Sequence, residues 1–144
     1  MFRRQSGFSL IELVVSLSIM AVLMTLPMTS YSGYSQRASV STSIALTSPI
    51  KLAVQEYFMK NNRFPLTNKT AGLLAADQYT ATHVLSISIN ETPSPGTITI
   101  AYKGAGAISE GDSLLLIPSG DASGIRWKCT SFTLLGNLLP ASCR

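Results

Sequence analysis

The chain divides by hydropathy before anything else. A short stretch, residues 1–7, precedes a run from Phe8 to Met28 in which Glu12 is the single charged side chain; beyond Met28 polar and apolar residues mix. A run of about 20 predominantly apolar residues is long enough to cross the hydrocarbon core of a bilayer. Further on, Val40, Ile44, Thr47, Ile50, Val54 and Tyr57 recur at spacings of three and four, which describes a helix with one mostly apolar stripe. Pro27, Gly33 and Pro49 interrupt this region, and bends or local unwinding are expected at the prolines, each of which removes a backbone donor. A helix running from Ser9 to about Lys60 would be on the order of 80 Å long at a rise of 1.5 Å per residue. A compact domain of this size covers only part of such a length, so the first half is expected in a membrane or against other subunits.

Asn61-Asn62-Arg63-Phe64-Pro65 ends the helical pattern, because the residue before a proline is pushed away from the α region and asparagines favour turns. Residues 66–82 read as a connecting segment, with a short helix expected over Ala71-Gly72-Leu73-Leu74-Ala75-Ala76. Alternation with a period of two then takes over. Val84–Ile89 and Gly96–Tyr102 read as strands separated by the turn Pro93-Ser94-Pro95-Gly96; Ser113–Ile117 and Ile125–Cys129 read as two more, joined through Pro118-Ser119-Gly120-Asp121. The expected fold is α+β, with a long N-terminal helix whose second half packs its stripe on a four-stranded antiparallel sheet. No internal repeat or low-complexity tract is present.

Glu12 needs a partner. A carboxylate costs several kcal/mol in hydrocarbon, and an acid in a membrane-length segment is by default a functional residue. The apolar run is not followed by the small-residue cleavage site of an ordinary secretory signal, and Arg3 and Arg4 favour a cytoplasmic N-terminus.

The sequence Arg4-Gln5-Ser6-Gly7-Phe8-Ser9-Leu10-Ile11-Glu12-Leu13 resembles the signal of type IV prepilins. Tyr31 and Tyr34 stand where that family often has a tyrosine pair, Pro49 where some members have a helix-bending proline, and Trp127-Lys128-Cys129 is similar to its tryptophan-x-cysteine approach to a terminal disulfide loop. Pro27 and Ala21 depart from the family's pattern. The resemblance implies three parts: a leader, 1–7; a hydrophobic helix, 8–28, serving as membrane anchor and filament core; and an extracytoplasmic globular domain, 29–144. It implies cleavage between Gly7 and Phe8, N-methylation of Phe8 by the membrane peptidase, and assembly through Phe8 and Glu12. There the Glu12 carboxylate attracts the N-terminal amine of a neighbouring subunit, so that each charge offsets the burial penalty of the other. An intrachain contact between the new amine and Glu12, four residues apart near a helix N-terminus, is the other arrangement open to it. The resemblance also implies a bridge between Cys129 and Cys143, which enclose 13 residues in the part expected outside the cytoplasm, where disulfides persist.

The implied partners are further copies in a filament, the prepilin peptidase and methyltransferase, the inner-membrane assembly machinery, the inner membrane before assembly and, at the surface, DNA or a host. The expected location is the bacterial inner membrane as a single-pass protein, then a cell-surface pilus. The role implied first is a structural subunit of filaments for adhesion, twitching motility or DNA uptake. The alternatives are a minor or competence pilin that binds DNA, with Lys103, Arg126, Lys128 and Arg144 as phosphate contacts, or a type II secretion pseudopilin, against whose commonest form the cysteine pair counts.

Charge argues for restraint on the DNA reading. The 144 residues hold 11 Lys and Arg against 7 Asp and Glu, net +4; loss of the leader removes Arg3 and Arg4 and leaves +2. A nucleic-acid protein is expected to show a clustered basic face instead. No phosphate-binding glycine loop, zincin helix or paired-carboxylate arrangement occurs, so neither an enzyme, a cofactor nor a metal site is expected. Glu110, Asp112 and Asp121 are too few and too loosely spaced for calcium, which takes six to eight oxygen ligands, and the single histidine, His83, is expected to be structural or solvated. Asn68-Lys69-Thr70 and Asn90-Glu91-Thr92 match the glycosylation acceptor pattern but carry little weight behind a bacterial leader.

Overall fold

A computed structural model describes residues 7–25, 28–121 and 124–144. Most of the leader, including Arg3 and Arg4, and the interruption expected at Pro27 lie outside the described residues. The chain forms two compact units, Met1–Gly33 and Tyr34–Arg144.

In the first unit, helix α1 spans Leu10–Thr25 and buries none of its residues. Helix α2, Met28–Leu46, runs through Gly33 without a break. Helix α3 covers Ser48–Asn61 and carries Pro49 in its first turn, where the missing N–H would have no intrahelical partner. The interruption expected at Pro49 therefore falls at Thr47. Hydroxyls serve the carbonyls there: Thr47 Oγ1 donates to the Ile44 carbonyl at 2.6 Å, beside the Thr47 N–H at 3.1 Å, and Ser48 Oγ donates at 2.8 Å to that of Ala45, to which Pro49 has no N–H to offer. At the other end of α3, Asn62 adopts a left-handed conformation (φ 52°) and donates its N–H to the Phe58 carbonyl. Asparagine tolerates that region better than most residues.

The sheet is antiparallel in the order β1-β2-β3-β4, with β1 Val84–Asn90, β2 Thr97–Tyr102, β3 Ser113–Asp121 and β4 Gly124–Thr130. Its inward residues alternate as the sequence pattern requires: Ile87 and Ile89, Ile98, Ile100 and Tyr102, then Leu114 and Leu116 are buried, and with Val40, Ile50 and Val54 of the helices they form one core. Full burial of such a side chain is worth about 1.5–3 kcal/mol, so the helical stripe is a principal fastening of the domain. Ser43 is also buried, and its hydroxyl meets that of Tyr102 at 2.5 Å.

Two expectations need correction. Pro118, Ser119, Gly120 and Asp121 are not a turn but the end of β3, pairing with Trp127, Arg126, Ile125 and Gly124. Pro118 is tolerated because β2 pairs with β3 only as far as Leu116, so a missing N–H there costs no bond to β2. The short helix expected over residues 71–76 is instead a 3₁₀ turn at Ala76–Gln78; Gly72 (φ 73°) closes the preceding turn in a conformation that ordinary residues avoid.

Phe64 stacks on Phe58 with ring centroids 4.4 Å apart. A Cβ at Gly96 (φ 81°) would lie 2.8 Å from Phe64 Cβ, so that position needs glycine; one at Gly120 would lie 2.7 Å from Phe58 Cζ, so the Phe58 ring would have to shift. Cys129 and Cys143 form a disulfide. Between them Leu134, Leu138 and Leu139 are buried, while Phe132 is 81% exposed.

Candidate assembly and processing site

Gly7, Phe8 and Ser9 are non-helical and α1 begins at Leu10, so Phe8 stands just outside the helix. The first turn closes when the N–H groups of Glu12 and Leu13 donate to the Ser9 carbonyl at 3.0 and 3.2 Å. Ser9-Leu10-Ile11-Glu12 has the spacing of a capping box, serine followed three residues later by glutamate; that signal marks the helix start and sets Glu12 where negative charge suits the macrodipole.

The rest of α1 contains almost no free polar chemistry. The hydroxyls of Ser16, Ser18 and Thr25 donate to the carbonyls of Glu12, Val15 and Val22 at 2.7–2.8 Å, so each polar side chain of the helix other than Glu12 is satisfied within it. Leucine, isoleucine, valine and methionine point outward on every side, each at least half exposed. A helix apolar all round is one that becomes buried against something else. Glu12 is the single charged group on that surface.

Among the described residues no helix is long and apolar enough to cross a membrane. The segment 8–28 has the length to span, but α1 itself has 16 residues, about 24 Å at 1.5 Å per residue, against a hydrocarbon core of about 30 Å.

The four cations named for DNA contact occupy separate surroundings. Lys103 follows β2 and donates from Nζ to the Ala81 carbonyl at 3.0 Å. Arg126 pairs with Asp121 at 2.8 Å, and Arg144 donates from Nε to the Leu139 carbonyl at 3.2 Å. Lys128 is exposed on β4. Only Arg126 and Lys128 share a face, two residues apart on one strand. Trp127, between them, turns to the helical side, where the Lys51 ammonium lies 5.7 Å from its ring; partial burial holds the Lys51 pKa below its ordinary value. His83 adjoins β1, and its carbonyl accepts from the Lys103 N–H at 2.9 Å. Neither asparagine of the acceptor patterns is idle: the Asn90 amide donates to Ser88 and Thr99, and Asn68 is buried with both ends of its amide engaged. Nothing in hydropathy or turn chemistry distinguishes Asn68 in the sequence.

Residues 36–144 match the pilin family of bacterial filaments, and residues 2–26 match the prokaryotic N-terminal methylation motif. Among curated relatives, the fimbrial protein EcpC of Eikenella corrodens is 30% identical over 142 residues, covering 97% of this chain and 91% of the relative. A fimbrial protein of Neisseria meningitidis serogroup A is 29% identical, covering 87% and 72%. The type IV major pilin protein PilE of Neisseria gonorrhoeae is 28% identical, covering 87% and 74%. With the family matched over most of the length, a helix packed on a four-stranded antiparallel sheet and a disulfide close to the C-terminus, the chain belongs to the pilin family.

Proposed function

We propose that this chain is a structural subunit of a type IV pilus, cut between Gly7 and Phe8, methylated on the new Phe8 amine, and polymerised through residues Phe8 to about Ala53. The observation that carries this reading is α1: a helix apolar on every side, with no residue buried in its own chain and one carboxylate in its first turn. Copies of such a helix bury one another. In a stack of identical subunits, the Glu12 carboxylate of one copy and the Phe8 amine of the next supply the opposite charges that offset desolvation and fix axial register. Repetition of one such head-to-tail contact without closure gives a filament. The role is structural; catalysis is left to the enzymes that process the chain.

Before assembly, the proposed location is the inner membrane, with the basic leader inside and α1 seated in lipid. A 16-residue helix matches the hydrocarbon thickness only if flanking residues contribute or the bilayer thins locally. Carbonate extraction of cells lacking the assembly machinery tests this part by itself: the protein stays in the membrane pellet if α1 anchors it and is released if it does not.

The deciding experiment is mass spectrometry of filaments sheared from cells that express the chain at its native level. Abundant protein that starts at methylated Phe8 is the expected result. Filaments built from another subunit, with this chain in trace amounts or absent, would overturn the structural role.

A further inference from the structure

The sheet has two borders, β1 and β4, and an exposed border offers unpaired N–H and C=O groups to any passing strand. At β1 a side chain meets those groups. Asn68, 8% exposed, donates from Nδ2 to the Ile87 carbonyl at 3.1 Å, and its Oδ1 accepts from the Ile89 N–H at 2.6 Å. A donor to residue i and an acceptor from residue i+2 is what one residue of a parallel neighbouring strand would provide. The same Nδ2 also donates to the Leu74 carbonyl at 3.1 Å, and the backbone carbonyl of Asn68 accepts from Leu73 N–H at 2.9 Å. Residues 68–74 are thus folded around the amide that they present to β1.

We propose that the Asn68 carboxamide is a surrogate strand residue that closes the β1 border of the sheet against pairing with a second copy of this chain. The excluded partner is a second copy because a subunit that self-assembles, as proposed above, is surrounded by copies of the same β1 border at high local concentration. β1 would suit such pairing: it is seven residues long, alternates Ile and Ser over Ser86–Ile89, and carries no charged side chain, which are the features of a strand prone to edge association. The contact of Asn68 with β1 lies within one chain, so it can be tested on detergent-solubilised protein separately from filament formation.

The test compares the full chain with Asn68→Ala in dodecyl maltoside, using light scattering to read mass and amide hydrogen exchange to read β1. Asn68→Ala is expected to dimerise at concentrations where the parent chain is monomeric, with Ile89 N–H exchanging about fivefold faster in the dilute monomer, as loss of one hydrogen bond of about 1 kcal/mol implies. Adding Leu85→Lys, a charge at an exposed position of β1, is expected to restore the monomer. An Asn68→Ala chain that stays monomeric, or a dimer that survives Leu85→Lys, overturns the proposal. If Asn68→Ala does not fold, Asn68→Asp replaces it: the near-isosteric carboxylate still accepts from Ile89 but loses both donations, and partial dimerisation is expected. A strictly monomeric Asn68→Asp chain then overturns the proposal as well.

Discussion

Helices α1 and α3 are nearly equal in length, at 16 and 14 residues, and both are rich in apolar side chains, yet they use them in opposite ways. In α3 the apolar residues form a stripe: Ile50 and Val54 are sealed in the core while Leu52 and Met59 on other faces are exposed. In α1 they cover the whole circumference and none is buried. A stripe is satisfied by one sheet; a full circumference requires neighbours on all sides. The contrast separates the residues that fold this chain from those that, in the function proposed above, join it to others.

That contrast breaks most completely at Glu12. Glu12→Ala is expected to leave the globular domain and its melting unchanged while filament yield falls by roughly tenfold or more, because the proposed pairing would leave the neighbouring amine without its counter-charge at a cost of several kcal/mol; electron microscopy of sheared preparations reads the yield. Ile50→Ala attacks the other helix. It is expected to cost about 2–5 kcal/mol of domain stability, measured by denaturant unfolding, while leaving the proposed cleavage after Gly7 intact. Cys129→Ser is expected to cost about 3 kcal/mol on the chain-entropy account of a loop this long, and the same loss should appear when the parent chain is reduced.

The smallest expected effect concerns the Ser43–Tyr102 contact, where the core accepts polar groups from α2 and β2. Burial raises the Tyr102 pKa above its ordinary value of 10.0, and the hydrogen bond with Ser43 opposes part of that rise. The folded state therefore keeps the phenolic proton to higher pH than the unfolded state, and stability from this group falls as pH rises through 10.0 toward the raised folded value. Tyr102→Phe should flatten the alkaline limb of the stability curve, at a cost of about 1 kcal/mol near neutral pH for the lost hydrogen bond.

Much of this division is legible in the sequence because it rests on periodicity. Val40, Thr47, Ile50 and Val54 are buried where spacing puts them, and all four strands fall where alternation begins. The sequence is least informative where one residue type serves two purposes. Pro118 and Gly120 look like turn residues, yet one occupies a stretch of β3 with a single neighbour and the other makes room for Phe58. Ser43 reads as a surface serine until Tyr102, 59 positions later, is brought against it. Asn68 reads as loop, and its part in the sheet follows from contacts 19 and 21 residues away. In the N-terminal segment, hydropathy singles out Glu12 while Gly7 and Phe8 stand out through resemblance alone, and the hydroxyls of α1 show themselves satisfied only once the helix is folded.

The loop closed by Cys129 and Cys143 bears on the filament's surroundings. None of the side chains between the two cysteines carries charge or titrates near neutrality, and Phe132 stands almost fully in solvent. Whatever meets that face finds the same chemistry in acidic or alkaline medium and in fresh or salt water. A contact made through Arg126 and Lys128 would fade within a screening length of about 10 Å at 0.1 M salt; one made through Phe132 would not weaken with added salt, so the salt dependence of attachment tells which of the two faces a surface has touched.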